Sequence, residues 1–252
     1  MFNKEIYFDL LNTKRFGKNL FILDETSSTN DYIMDGDFAH GDAVTAQVQT
    51  KGKGRSGRLW FDKGNSLIFS LCLSELPVHS LMPFNIMAGY AICDCISAYA
   101  PAKLKWPNDC LIYNKKVSGM LLESSFLGNG VSKIVFGAGI NLYEKEFPED
   151  IAGYATSVVL NCGKNAEKEI LLAAIMNSIE RYYNEYEKGL LKISEMWSEY
   201  SANINKKITV HINNMKKELT ETGITDKGEL IVKDGEKIYS INTGEIGYDF
   251  NS

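Results

Sequence analysis

The chain has 252 residues, 44% hydrophobic and 23% charged, with a formal net charge of −5 and a sequence pI of about 5.4. That is enough chain for one large domain, or one large and one small, and its acidic balance argues against nucleic acid or a membrane surface as partner of the whole molecule. No apolar run is long enough to cross a bilayer, and Glu5 and Asp9 interrupt the N-terminal apolar stretch, so neither a membrane span nor a signal peptide is expected.

Taken in order, residues 1–20 read as a helix and a turn at Gly17, followed by a short strand at Leu20–Leu23. Ser28, with Asp31 three residues on, is a capping signal for a helix through Tyr32 and Met34. The same segment is equally a hydroxyl and amide cluster suited to a small polar ligand. Residues 44–49 alternate, with Val44, Ala46 and Val48 opposite Thr45, Gln47 and Gln49, as in a half-buried strand. Then Gly52, Gly54 and Gly57 free the backbone, while Lys51, Lys53, Arg55 and Arg58 load it with charge.

Asn65–Leu73 is a further strand, and Pro83 opens a helix running to about Tyr99. Cys110–Tyr113 and Val117–Glu123 form a hairpin across Asn114-Lys115, and Lys133–Ile140 is another strand. Residues 141–165 are loop-rich, followed by amphipathic helices at Ala166–Lys188 and Ile193–Tyr200. Short strands follow at Lys207–Ile212, Lys217–Glu221, Glu229–Val232, Lys237–Ile241 and Glu245–Tyr248. Asn213-Asn214, Lys227-Gly228, Asp234-Gly235 and Thr243-Gly244 separate them as turns. Two domains are expected, 1–200 and a small β domain over 203–252.

The five cysteines lack CxxC spacing and mostly sit in apolar runs, so they read as free thiols of a reducing cytoplasm. His40, His79 and His211 are scattered, and no metal site is expected.

Four segments carry chemistry. The loop at 52–58 has the GxxxxG spacing of a P-loop, but Arg58-Leu59 stands where Lys-Ser/Thr is required, so that reading fails. Cations packed this densely repel one another unless an anion offsets them, which sets a polyanion site against a solvated hairpin turn. Lys105-Trp-Pro-Asn-Asp109 is a proline-fixed turn, either a plain turn with a buried tryptophan or one that presents Asn108 and Asp109. Lys116 begins an apolar strand, where a lone lysine usually guards a strand edge. Gly137-Ala-Gly-Ile-Asn141 is a small-residue strand end that permits close approach of a ligand.

In this order, Ser28-Thr29-Asn30, Gly52-Lys-Gly-Arg-Ser-Gly-Arg-Leu-Trp60, Lys105-Trp-Pro-Asn-Asp109, Lys116-Val-Ser-Gly119 and Gly137-Ala-Gly-Ile-Asn141 resemble the biotin protein ligases, from about residue 20 onward. The resemblance implies an α+β fold, a catalytic domain like that of class II aminoacyl-tRNA synthetases with a C-terminal SH3-like β-barrel. It implies MgATP and biotin as substrates, biotinyl-5′-AMP as intermediate, and a lysine of a biotin carboxyl carrier protein as acceptor. Arg55 and Lys116 would be catalytic, bracketing the biotin carboxylate and the α-phosphate. Ser28, Thr29, Asn30, Gln49, Lys53 and Gly54 would join them in holding biotin, with backbone N–H groups around Gly54 donating to the same anionic oxygens. Arg58, Trp60, Asn108 and Asn141 would serve the ATP side. A lipoate or octanoate ligase of the same fold is the alternative.

Lys53 departs from the arginine that the family more often carries there, which keeps the charge and loses the bidentate fork. Only 27 residues precede Ser28, fewer than a DNA-binding domain needs, so a ligase that binds no DNA is expected. No membrane partner is expected, and an exposed strand edge leaves room for a homodimer.

Overall fold

The computed structural model describes residues 2–127, 130–212, 215–242 and 244–247. After a first helix, α1 (Lys4–Leu10), come β1 (Leu20–Thr26), α2 (Thr29–Asp35), β2 (Ala43–Gln49) and β3 (Ser66–Cys72). Helix α3 (Leu81–Ser97) precedes β4 (Ala102–Lys105), β5 (Asp109–Ile112), β6 (Lys115–Leu127) and β7 (Gly130–Asn141). These seven strands make one sheet in the order β1-β2-β3-β7-β6-β5-β4. Only β1 and β2 are parallel, and α2 is the crossover their geometry requires.

Alternation along the strands sends two sets of side chains to opposite faces. Val44, Cys72 and Val135 pack with Ile33 of α2 on one face. Phe69 and Phe136 lie on the other, where Phe84 of α3 meets Phe136 edge-on at 5.7 Å between ring centroids. Phe16 and Tyr183 complete this aromatic cluster around Phe84. Each such ring pair contributes roughly 0.5–1.5 kcal/mol beyond burial.

Two short helices, α4 (Glu149–Ala152) and α5 (Val158–Cys162), lie in the segment expected as loop. They are followed by α6 (Lys168–Glu187), which packs on α3 and α1, and α7 (Ile193–Tyr200). Glu180 of α6 accepts from the backbone N–H groups of Lys14, Arg15 and Phe16, docking the N-terminal segment. The β5–β6 turn falls at Tyr113-Asn114, one residue earlier than expected, because both residues take positive φ (47° and 65°) as a tight hairpin demands.

A second, antiparallel sheet contains β8 (Lys207–Ile212), β9 (Met215–Ile224), β10 (Leu230–Asp234), β11 (Lys237–Ile241) and β12 (Glu245–Ile246) in the order β11-β10-β9-β8-β12. Among the described residues its two edge strands do not pair with each other. The turns expected at Asn213-Asn214 and Thr243-Gly244, and the strand end at Tyr248, involve residues outside those described. The second sheet is tied to the rest of the chain by buried donors: Trp106 Nε1, just after β4, to the Gly228 carbonyl and Trp197 Nε1 of α7 to Glu221 of β9, both at 2.9 Å.

Candidate active site

The floor of the site is built from absent side chains. Gly137 and Gly139 of β7 and Gly119 of β6 are neighbours in the sheet and open a cavity above it. A Cβ at Gly137 would sit 2.1 Å from Asn30 Oδ1, and one at Gly139 2.4 Å from the Trp60 ring. The cavity has a volume of about 540 Å³. Ser28, Thr29, Asn30 and Gln49 line one part of it, and Lys53, Gly54, Arg55, Arg58, Trp60, Asn108, Lys116 and Asn141 also reach its wall. Every site residue singled out from the sequence is thus brought to one place.

One group of wall residues is neutral and polar. Ser28 does cap α2, its hydroxyl accepting from Asp31 N at 3.4 Å, and it also lines the cavity. Thr29 donates from both N and Oγ1 to Gln49 Oε1, at 2.7 and 3.0 Å. Ser70 Oγ lies 2.6 Å from Asn30 Oδ1 and 2.7 Å from Thr29 Oγ1, and Asn30 Nδ2 donates to Glu123 Oε2 at 2.7 Å. Such a network fixes hydroxyls and amides for a neutral hydrogen-bonding ligand. Ser70 was not singled out from sequence; it reads as an ordinary strand serine until the sheet register places it under Thr29.

A second group is cationic. The 52–60 loop folds as a hairpin, with Trp60 N bonded to Gly52 O at 2.9 Å and Gly54 N to Arg58 O at 2.8 Å. The Gly54 N–H is spent inside the loop, so in this conformation the expected backbone donation to an anion falls to its neighbours. Ser56 (φ 56°) and Gly57 (φ 75°) make the tip.

Arg55 Nη1 is 3.4 Å from Asn108 Oδ1 and from the Gly244 carbonyl. Arg58 pairs with Glu245, which also accepts from Ser56 Oγ at 3.1 Å. Asn108 donates to Met120 O at 2.7 Å and Asn141 to Thr156 O at 2.9 Å, so both amides brace the wall as well as lining it.

Lys116 projects from the start of β6, beside an irregular register between Cys110 and Leu111 of β5. Its Nζ lies 2.7 Å from Asp109 Oδ1 and 5.7 Å from the centre of a Trp60 ring. A bulge re-aims side chains at a strand end, and here it turns a lysine in the place of an edge guard into the cavity. Asp109 Oδ2 also meets Lys105 Nζ at 3.6 Å.

Burial lowers Lys105 to about 8, against the opposing pull of Asp109. The unfolded chain titrates this group near 10.5. Between the two values the unfolded state holds a proton that the folded state has shed, so this residue makes stability rise with pH in that window. Urea midpoints compared at about pH 7.5 and 9.5 are expected to show the parent gaining on Lys105→Met as pH rises; parallel pH curves for the two proteins would contradict it.

The sequence pointed to none of the wall from Phe147 to Ala155, nor to His211 and Glu245 of the second sheet. The backbone explains the first. Lys116 N bonds to Tyr154 O at 2.7 Å and Thr156 N to Lys116 O at 2.8 Å, stitching a distant segment to β6.

A profile of the Biotin/lipoate A/B protein ligase family matches residues 22–141. The bifunctional ligase/repressor BirA of Bacillus subtilis is 29% identical over 246 residues, covering 94% of this chain and 76% of that protein. The biotin–[acetyl-CoA-carboxylase] ligase of Paracoccus denitrificans is 29% identical over 75% of this chain and 83% of its own. The biotin protein ligase of Aquifex aeolicus, solved in complex with biotin and ATP, superposes with a TM-score of 0.80 at 28% identity, covering 91% of this chain and 98% of that one.

The segment matched to the biotin/lipoate A/B protein ligase family model contains the α2 cap, the cationic loop, Lys116 and the glycine floor, so the match falls on the residues that build the cavity.

Proposed function

We propose that the chain is an ATP-dependent biotin–protein ligase. The observation that carries this is the single cavity whose wall is neutral and hydrogen-bonding at Thr29, Asn30 and Gln49 and cationic at Arg55, Arg58 and Lys116. The first suits a ureido ring and the second suits a carboxylate meeting a triphosphate.

In the first step a biotin carboxylate oxygen attacks the α-phosphorus, and the bond to the β-phosphate oxygen breaks. Pyrophosphate leaves with the electron pair, and biotinyl-5′-AMP remains. In the second step the amine of a carrier-protein lysine attacks the acyl carbon. The bond to the phosphate oxygen breaks, AMP leaves, and the amine loses its proton to give an amide. Arg55 and Lys116 bracket the reacting carboxylate and α-phosphate, offsetting charge that grows on phosphorus. Ser28, Thr29, Asn30 and Gln49 hold the head group, and Trp60 flanks the apolar parts. Arg58, Asn108 and Asn141 serve the nucleotide, which must displace Glu245 from Arg58.

The two carboxylates of the wall, Asp109 and Glu245, are both engaged by cations. Mg2+ would enter with the nucleotide and would supply charge neutralisation at its phosphates. A carboxylase carrier protein is the expected acceptor. The chain divides into a catalytic domain over 1–200 and a C-terminal domain over 203–252. The antiparallel order of the second sheet, with its irregular register at Ile231/Val232, supports an SH3-like barrel. Among the described residues no helix is long and apolar enough to cross a membrane. The five free cysteines suit the cytoplasm. An exposed sheet edge, of which β1 is one, leaves room for two copies to pair.

Biotin-dependent exchange of labelled pyrophosphate into ATP tests the first step, with lipoate run in parallel. Exchange with lipoate alone would overturn the assignment in favour of a lipoate ligase. Arg55→Gly is expected to form adenylate yet let it escape, because the side chain bridging the loop to Asn108 and Gly244 is gone. The readout is biotin on lysines of a bystander protein, and unchanged acceptor selectivity would count against the loop's retaining role.

A further inference from the structure

The glycine-rich loop is tied to the polar wall of the cavity through one side chain. The Lys53 ammonium is bonded to Asp31 in the first turn of α2 and lies 3.8 Å from Glu123 Oε1 on β6. The other oxygen of Glu123 accepts from Asn30 Nδ2 at 2.7 Å. One carboxylate therefore touches both the loop and an amide of the cavity wall. We propose that Asp31, Lys53 and Glu123 form a latch in which Asp31 and Glu123 are positioning residues. Acting through Lys53, they hold the loop over the cavity, and Glu123 links that closure to the orientation of Asn30.

The choice of lysine fits this role. A compact ammonium with three N–H groups can sit between two carboxylates, whereas a guanidinium fork favours bidentate contact with one. Lys53 is the cation that both Asp31 and Glu123 meet, and Asp35 adds to the negative field around it. The hydrogen bond that Lys53 donates to Asp31 is the main cause holding Lys53 above its ordinary range, with Glu123 and Asp35 assisting and partial burial opposing. The pairs are about a third exposed, with side-chain accessibilities of 42%, 33% and 29% for Lys53, Asp31 and Glu123. A latch of this strength opens readily and responds to salt.

Arg55 and Arg58 are tryptic sites inside the loop, and neither Asp31→Asn nor Glu123→Gln changes them. Glu123→Gln also keeps an oxygen for Asn30, so it removes charge alone. Limited trypsin digestion of the ligand-free full chain is expected to cut both variants at these arginines about two- to fivefold faster than the parent at low salt, the difference shrinking in high salt. Asp31→Glu, which keeps the carboxylate, should cut near the parental rate. Unchanged cleavage would overturn the latch, as would faster cleavage throughout the chain, which signals global loosening. In a second arm, resting on the ligase reading above, release of biotinyl-adenylate should rise by about the same factor. A parent that forms no adenylate would sink that reading while leaving the digestion result to decide the latch.

Discussion

Replacing Lys116 by alanine is expected to slow adenylate formation by about two to three orders of magnitude. Asp109 holds the lysine Nζ at 2.7 Å, so the charge is in place before ligands arrive and no reorganisation is needed at the moment of reaction. Preset charge aimed at a developing anion is worth far more in a partly closed cavity than in water. Alanine removes it and leaves Asp109 facing the incoming phosphates beside Lys105, itself held to about 8 by burial. The loss is expected on the adenylation rate more than on biotin affinity, because the proposed head-group contacts lie on other residues. Single-turnover formation of biotinyl-adenylate, with thermal midpoints to exclude unfolding, is the measurement. Rates within a few-fold of the parent would remove Lys116 from the chemistry.

Gly137→Ala is expected to raise the KM for biotin by about tenfold or more, an effect of roughly 1.4 kcal/mol or above. The new methyl would lie 2.1 Å from Asn30 Oδ1, closer than atoms can come. Asn30 has little room to yield, being held by Ser70 at 2.6 Å and by Glu123 at 2.7 Å. Either the amide swings away and leaves polar groups unpaired, or the sheet shifts under the cavity; each costs on the order of 1–3 kcal/mol. The change should fall on biotin far more than on ATP, because Asn30 belongs to the neutral wall. Parental biotin KM, or an equal rise for ATP, would contradict the assignment of that wall.

Much of the site was legible in the residues themselves. The loop of three glycines and four cations and the helix start at Ser28-Thr29-Asn30 could be picked out locally, each with a plain structural reading beside the functional one, and the structure brings both to the same cavity. The strand at 44–49 is where the pattern placed it, though most of it is buried on both faces and not on one, and the helix expected from Pro83 to about Tyr99 runs Leu81–Ser97. Lys116 was legible only through the family resemblance, since a lysine at a strand start is usually an edge guard. The β5–β6 turn was missed by one residue because Tyr113 takes a positive φ that its side chain gives no hint of.

By itself, then, the sequence determined which segments carry charge, which carry neutral polarity and where the backbone is freed by glycine, because those are properties of neighbours along the chain. The tertiary structure alone decided that Tyr154 and Ala155 wall the cavity beside Lys116, that Glu245 of the last strand holds Arg58, and that Ser70 supports Thr29 and Asn30. These contacts join residues tens to nearly two hundred positions apart. Their partners are set by sheet register and crossover topology, which depend on how the whole core packs and leave no local mark.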